Sequence, residues 1–242
     1  MSGRTPAPPA LLRSTCRAIA VEEQEEKPYI DCMRVNLFKL ILILAAISLS
    51  ACYSPPKVAP AAALSGNYVL DPAHASVVWS LSHAGLSQYT ARFDDISGAL
   101  SFDPANPSAS RVDIRIDPAS VSTGDPEFDE TVGKGGKYFD AGAFPEIRFV
   151  STNINVLSES TGTITGDLTF RGVTKPVTLN TTYNGAGKSF GHSGKTLGFS
   201  ATGMIKRSDF GLSYLSNFGI GDDVSLVIEA EFNEAQNTKD AQ

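Results

Sequence analysis

From Asn67 onward, apolar and polar side chains alternate with a period of two. No other feature constrains the chain as much, because this pattern suits strands with one buried and one solvated face. Between residues 111 and 117, Val112, Ile114 and Ile116 alternate with Arg111, Asp113, Arg115 and Asp117. A one-residue slip would bury four charges, so the register is strongly specified. Between 224 and 232, Val224, Leu226, Ile228, Ala230 and Phe232 take one face, and Ser225, Glu229 and Glu231 the other. The stretch 163–171 sets Ile164, Gly166, Leu168 and Phe170 against Thr163, Thr165, Asp167, Thr169 and Arg171. Further strands are predicted at 74–81, 89–102 with a break near Asp94, 146–156, 177–183 and 197–205. That makes about eight, parted by turn-rich stretches such as Asp103-Pro104-Ala105-Asn106-Pro107. Only 125–140 lacks alternation. There Asp125-Pro126 reads as an N-cap and first helical residue, which predicts a short helix at 126–133.

About eight antiparallel strands must hide their edges, either in a closed barrel or in a two-sheet sandwich. An eight-stranded barrel has an interior that side chains can fill or that holds one small ligand. Strand parity turns Trp79, Phe93, Phe102, Ile114, Phe149, Leu168, Phe170 and Phe199 inward, with Phe210 near an end. Parity alone leaves open whether that interior is hollow.

The remaining composition narrows function. The three cysteines are Cys16, Cys32 and Cys52, so nothing after residue 52 can form a disulfide or a cysteine metal site. The formal net charge is -6 and no basic stripe stands out, which argues against nucleic acid as a partner. His74, His83 and His192 are the only histidines, and a zinc site built on them would need distant carboxylates, so no metal is expected. There is no G-x-S-x-G and no assignable triad, so no catalytic residues are expected. His74, His83, Arg207 and Asp209 are read as polar groups near a barrel mouth. Arg207-Ser208-Asp209-Phe210-Gly211 suits the bracing of a turn, with Gly211 at positive φ. The Gly133-Lys134-Gly135-Gly136-Lys137 stretch lacks phosphate-loop spacing and reads as a loop whose lysines could meet a polar head group.

The first fifty residues read as an address. Arg34 and Lys39 precede an apolar run, Leu40 to Ile47, and small residues lead to Cys52. The run is shorter than the roughly 20 residues of a membrane span. Leu49-Ser50-Ala51-Cys52 resembles the lipobox of bacterial lipoproteins, which implies that Cys52 is acylated and becomes the mature N-terminus. Tyr53 behind it, by the sorting pattern of such lipoproteins, implies a barrel facing the periplasm from the outer membrane. Residues 33–51 would then be the signal peptide, 52–66 a Pro/Ala-rich tether, and 67–233 the barrel. Residues 1–32 read as an over-extended start or a disordered extension, and 234–242 as a disordered tail.

Seven segments stand out in order along the domain. They begin with Tyr68-Val69-Leu70-Asp71-Pro72-Ala73-His74-Ala75-Ser76 and then His83. Next come Ser122-Thr123-Gly124-Asp125, Tyr138-Phe139-Asp140-Ala141 and Phe144-Pro145-Glu146-Ile147-Arg148-Phe149. The last two are Gly166 to Val177 (GDLTFRGVTKPV) and Arg207-Ser208-Asp209-Phe210-Gly211. Together they resemble the YceI-like family of bacterial polyisoprenoid-binding, lipocalin-like proteins. The resemblance implies an antiparallel eight-stranded barrel that holds an isoprenoid chain in its lumen, with no cofactor and no catalysis. One departure stands out: Phe128-Asp129-Glu130-Thr131-Val132 lacks the histidine that the family often carries in its helix. Two other readings remain open from the residues, an enzyme acting on such a lipid and a stress or adhesion module with a filled core.

Overall fold

The computed structural model describes residues 55–59, 62–188 and 191–235. The chain divides into two units, 1–53 and 54–242, and every described residue belongs to the second. The signal segment, Cys52 and the tail beyond residue 235 lie outside the described residues. Among the described residues no helix is long and apolar enough to cross a membrane.

Ten strands form: β1 (Gly66–His83), β2 (Ser87–Phe93), β3 (Ile96–Phe102), β4 (Arg111–Ile116), β5 (Val121–Ser122), β6 (Ile147–Val156), β7 (Thr161–Phe170), β8 (Val173–Gly187), β9 (Thr196–Lys206) and β10 (Ile220–Glu234). The one α-helix among the described residues, α1, runs Pro126–Lys134 between β5 and β6. Neighbours follow the order β10-β9-β8-β7-β6-β4-β3-β1, and β10 pairs back onto β1 to close the ring. All pairings are antiparallel.

The ten segments make an eight-stranded barrel because two of its strands are broken. β3 pairs with residues 66–69 of β1 and β2 with 77–83, so β2 and β3 are two halves of one strand bent at Asp94-Asp95. β4 is likewise interrupted by a 3-10 turn at Pro118–Ser120 before β5 rejoins β2. The Asp117 carboxylate accepts from Ala119 N at 2.7 Å and caps that turn.

Two prolines that look foreign to strands sit where a missing N–H costs little. Pro72 falls in the bulge between Leu70 and Ala75, where the β1–β10 register shifts. That shift keeps Tyr68 and Leu70 before it, and Val77 and Trp79 after it, on the buried face. Pro176 faces Asp167 of β7, but β9 does not begin to pair with β8 until Asn180. This is why β8 extends well before the predicted start at 177.

One end of the barrel is plugged. Phe102 stacks on Tyr183 with ring centroids 6.0 Å apart, Tyr183 meets Phe199 at 5.3 Å, and Phe199 meets Phe232 at 6.0 Å. Leu197 is fully buried among them and Tyr68 nearly so. Burial pushes the Tyr183 phenol up to about 12, with Tyr68 adding a smaller push. Part of the Pro/Ala-rich segment, expected as a free tether, is built into this end. Lys57 exchanges both backbone hydrogen bonds with Ala186 at 2.9 Å, Ala63 is buried, and Tyr68 Oη donates to Leu64 O at 2.7 Å. The spacer's alanines and prolines suit this because they are small and apolar enough to cap a barrel end.

The opposite end carries α1. Asp125 accepts from Glu127 N at 3.0 Å, Pro126 takes the first helical position, and Lys134 closes the last turn. The carboxylate of Asp129 reaches back to Thr123 N at 2.6 Å, which fastens the helix to the strand before it.

Candidate functional site

Between the plug and α1 lies a cavity of about 450 Å³ with an almost wholly apolar wall. That size falls within the usual range of small-molecule sites. Of the side chains that parity turned inward, Trp79, Phe93, Ile114, Phe149, Leu168, Phe170 and Phe199 border it. Phe102 and Phe210 do not. Phe102 points inward but lies in the plug, below the cavity floor. Phe210 is buried behind Phe170 at 5.8 Å, in the 3-10 turn that follows β9. Gly166 is needed where it is: a Cβ there would stand 2.4 Å from Phe149 Cζ, so the glycine lets that ring lie flat on the wall.

Sequence patterning missed the lid. Phe128 and Val132 of α1, then Tyr138, Phe139, Tyr214 and Leu215, complete the lining at the mouth end. Phe139 is the keystone, meeting Trp79 at 6.0 Å, Phe93 at 5.6 Å and Phe170 at 5.4 Å. Phe128 stands edge-on between Tyr89 at 6.2 Å and Tyr138 at 6.1 Å. Tyr138 packs edge-on against Tyr214 at 5.3 Å, with Lys137 Nζ 4.9 Å from the Tyr214 ring. Arg171, at φ 49° in the β7–β8 turn, donates to the carbonyls of Tyr138 and Gly136 and holds this segment over the barrel. None of these residues stands in a period-two stretch. The only signal for Phe128, Tyr138 and Phe139 was the density of aromatics in 125–140, and Tyr214 and Leu215 had none.

Arg207 is the polar centre of the mouth. It is 8% exposed and donates to the carbonyls of Gly221 at 2.7 Å, Leu212 at 2.7 Å, Tyr214 at 2.9 Å and Ile220 at 3.0 Å, and to Ser216 Oγ at 2.9 Å. Burial draws its pKa down, and Asp222 partly offsets this. The loop from 211 to 220 has almost no regular structure, and this one guanidinium satisfies its inward carbonyls. Gly211 takes the positive φ expected of it, 75°. Asp209 is exposed beside this loop, and the Arg207 guanidinium turns instead to the carbonyls and hydroxyl just named. His83 borders the cavity near Tyr89.

His74 does not reach the mouth. It lies on the outer wall at the β1 bulge, where its Nδ1 is 3.0 Å from Asp71 Oδ2. Nine residues separate it from His83 on one strand. An odd separation puts the two on opposite faces, and about 30 Å lies between them along the strand. Asp71 also accepts from Ala73 N and Asn233 Nδ2 at 3.0 Å each, so the pair braces the bulge. Glu231 stands close enough to complete a three-ligand group. The hydrogen bond to His74 lowers the Asp71 pKa, and the same bond raises that of His74. The imidazolium contribution is therefore full below the ordinary histidine value and is lost as pH rises through the raised folded one. The carboxylate contribution is present above the ordinary aspartate value and is lost as pH falls through the lowered one. His74→Gln is expected to flatten the stability profile on the histidine side and to change the midpoint little at pH 9. Urea unfolding at several pH values would check this, and an unchanged profile would count against the pairing.

Two wall donors, Trp79 Nε1 and Thr181 Oγ1, make no hydrogen bond within the protein. Both belong to residues that border the cavity. An unpaired buried donor costs about 1–3 kcal/mol.

A closed barrel with this helical lid and these motifs has relatives. The sequence profile of the YceI-like domain matches residues 68–232. The chain belongs to the YceI-like family. Among curated relatives, a UPF0312 protein of Pseudomonas savastanoi pv. phaseolicola is 38% identical over 152 residues, 62% of this chain and 78% of that protein. The UPF0312 protein of Pseudomonas fluorescens is 37% identical over 139 residues, 57% of this chain and 71% of that one. Among solved structures, the Campylobacter jejuni YCEI protein superposes with a TM-score of 0.57 at 33% identity, covering 64% of this chain and 90% of that one. Burkholderia cenocepacia BcnA gives 0.57 at 26%, covering 67% and 98%. The YceI-like match begins and ends within two residues of the barrel's first and last strands, so the lumen and its lid both fall inside the family domain.

Proposed function

We propose that this chain binds and carries a polyisoprenoid or similar apolar lipid in its barrel, held at the membrane by an acylated Cys52. The observation that carries the binding reading is the lumen: about 450 Å³, apolar, plugged at one end and lidded by aromatics at the other. Each methylene buried there contributes about 0.8 kcal/mol gross, so a slender chain binds well without a charged anchor. A lumen of this size disfavours a module with a filled core. The enzyme alternative finds little support, since the wall offers few polar groups and no paired nucleophile and base among the described residues.

Solvent extraction of protein purified from bacterial membranes, followed by mass spectrometry, tests the cargo. An isoprenoid or similar lipid is expected in the extract, and the stripped protein is expected to melt lower, because a ligand bound only to the native state stabilises it. Equal melting of native and stripped protein, with no lipid recovered, would sink the reading. Turnover of an isoprenoid substrate would instead favour the enzyme.

The anchor is tested separately. Diacylation supplies the two chains that stable anchoring needs. Cys52→Ser is expected to move the protein from the membrane fraction to the soluble one, and full retention in the membrane fraction would end the anchor reading. Placement in the outer membrane, facing the periplasm, follows from Tyr53 and is tested by density-gradient separation of the two membranes.

A further inference from the structure

The two ends of this barrel are not equivalent with respect to the anchor. The described chain joins the barrel at the plugged end, where Lys57 pairs with Ala186. Between Cys52 and Lys57 lie five residue steps, which reach at most about 18 Å when fully extended. β10 alone has 15 residues. At strand rise and usual barrel tilt that corresponds to a height of roughly 35–40 Å. The leash is therefore shorter than the barrel is tall, and the mouth cannot turn face down onto the bilayer that holds Cys52.

The mouth rim is shaped for another apolar surface. Leu86 in the β1–β2 turn is 88% exposed and Phe218 in the loop before β10 is 77% exposed. The two turns are fastened together by Ala84 N donating to Gly219 O at 2.8 Å. Each turn is closed by a hydrogen bond of its own, from Leu86 N to His83 O at 3.0 Å and from Phe218 N to Leu215 O at 2.9 Å. Both turns adjoin residues of the cavity lining, His83 on one side and Leu215 and Ile220 on the other. Two large apolar side chains presented on rigid turns beside an apolar lumen fit a lipid surface, into which they would dip as cargo passes.

We infer that the mouth faces away from the anchoring bilayer and exchanges its cargo with a second lipid surface, which Leu86 and Phe218 dock. This rests on the acylated Cys52 and lipid-cargo readings above. Two side chains give only weak docking. That suits a carrier, because release stays fast.

The mature chain after Cys52 contains no other cysteine, so a single introduced thiol can be labelled selectively. Asn217→Cys at the mouth, beside Phe218, and Leu157→Cys in the β6–β7 turn at the plugged end, both at exposed positions, would each carry an environment-sensitive fluorophore and leave Leu86 and Phe218 in place. The full chain, purified from membranes, is placed in phosphatidylethanolamine–phosphatidylglycerol vesicles that contain an energy-acceptor lipid. Flotation first establishes anchoring; a chain that does not float fails at Cys52, and lipid extraction reports on the cargo independently. For the floating chain, several-fold more transfer is expected from position 157 than from 217. Separate vesicles of the same lipids without acceptor are then expected to brighten and blue-shift the label at 217 and leave 157 unchanged. Equal or reversed transfer would overturn the orientation. A label at 217 that ignores the added vesicles would overturn the lipid surface as the docking partner.

Discussion

Arg207→Met is expected to destabilise the domain by about 3–5 kcal/mol, the range for removing one partner from a buried charged network. The methionine fills much of the same space, so the loss isolates hydrogen bonding from packing. Four backbone carbonyls would lose their donor: those of Leu212 and Tyr214 in the loop, and those of Ile220 and Gly221 at the start of β10. In melting temperature this is a drop of roughly 6–20 °C for a domain of this size. Arg207→Lys is expected to recover little, because a point ammonium cannot reach carbonyls fanned around a planar fork. Differential scanning calorimetry would decide it. A drop below about 1 kcal/mol would mean that water replaces the guanidinium and that the loop does not depend on it. Because Tyr214 and Leu215 belong to this loop, Arg207→Met is also expected to loosen the lid and speed cargo loss.

Leu168→Trp is expected to empty the lumen and leave the fold standing. Leu168 is buried and borders the cavity, opposite Phe149 on β6. The larger ring has somewhere to go, since the space beside it is cavity and not packed side chain, so the usual overpacking cost of about 1–3 kcal/mol should be at its low end. Circular dichroism should be native and co-purified lipid lost. Phe170→Asp makes the harsher comparison: an unpaired carboxylate would face an apolar cargo and the rings of Phe139 and Phe210. That variant is expected to lose both cargo and stability. If Leu168→Trp retains as much lipid as the parent protein, the lumen is not where the lipid sits.

The wall was legible in the sequence because a strand's parity is written in its residues. Val224 to Phe232 and Val112 to Ile116 needed only alternation to be turned inward. Depth along the barrel was not legible. Phe102 has the right parity and lies one layer too low, because parity fixes the face and says nothing of height. His74 and His83 look like a pair in sequence, yet one strand carries them to opposite faces and far apart. The lid's helix was legible from Asp125-Pro126, but its lining side chains were not, for another reason. Phe128, Tyr138, Phe139 and Tyr214 occupy helix and turn, where no period reports burial, and their positions are set by tertiary partners such as Arg171 and Arg207. The broken strands were half legible. The acidic pair Asp94-Asp95 marks one break, while the second depends on a 3-10 turn at Pro118 whose role emerges only when β5 rejoins β2.

The ring closes between the first strand and the last, with Tyr68 opposite Glu234. Nearly the whole domain must be synthesised before this seam can form. Long-range pairing of this kind makes folding slow, because the loop-closure entropy is met before the contacts reward it. Until β10 arrives, β1 has an unsatisfied edge and the chain has no sealed interior. Under the export proposed above, that delay would be useful: the topology keeps the chain open until β10 is available, and so would leave folding to the far side of the membrane.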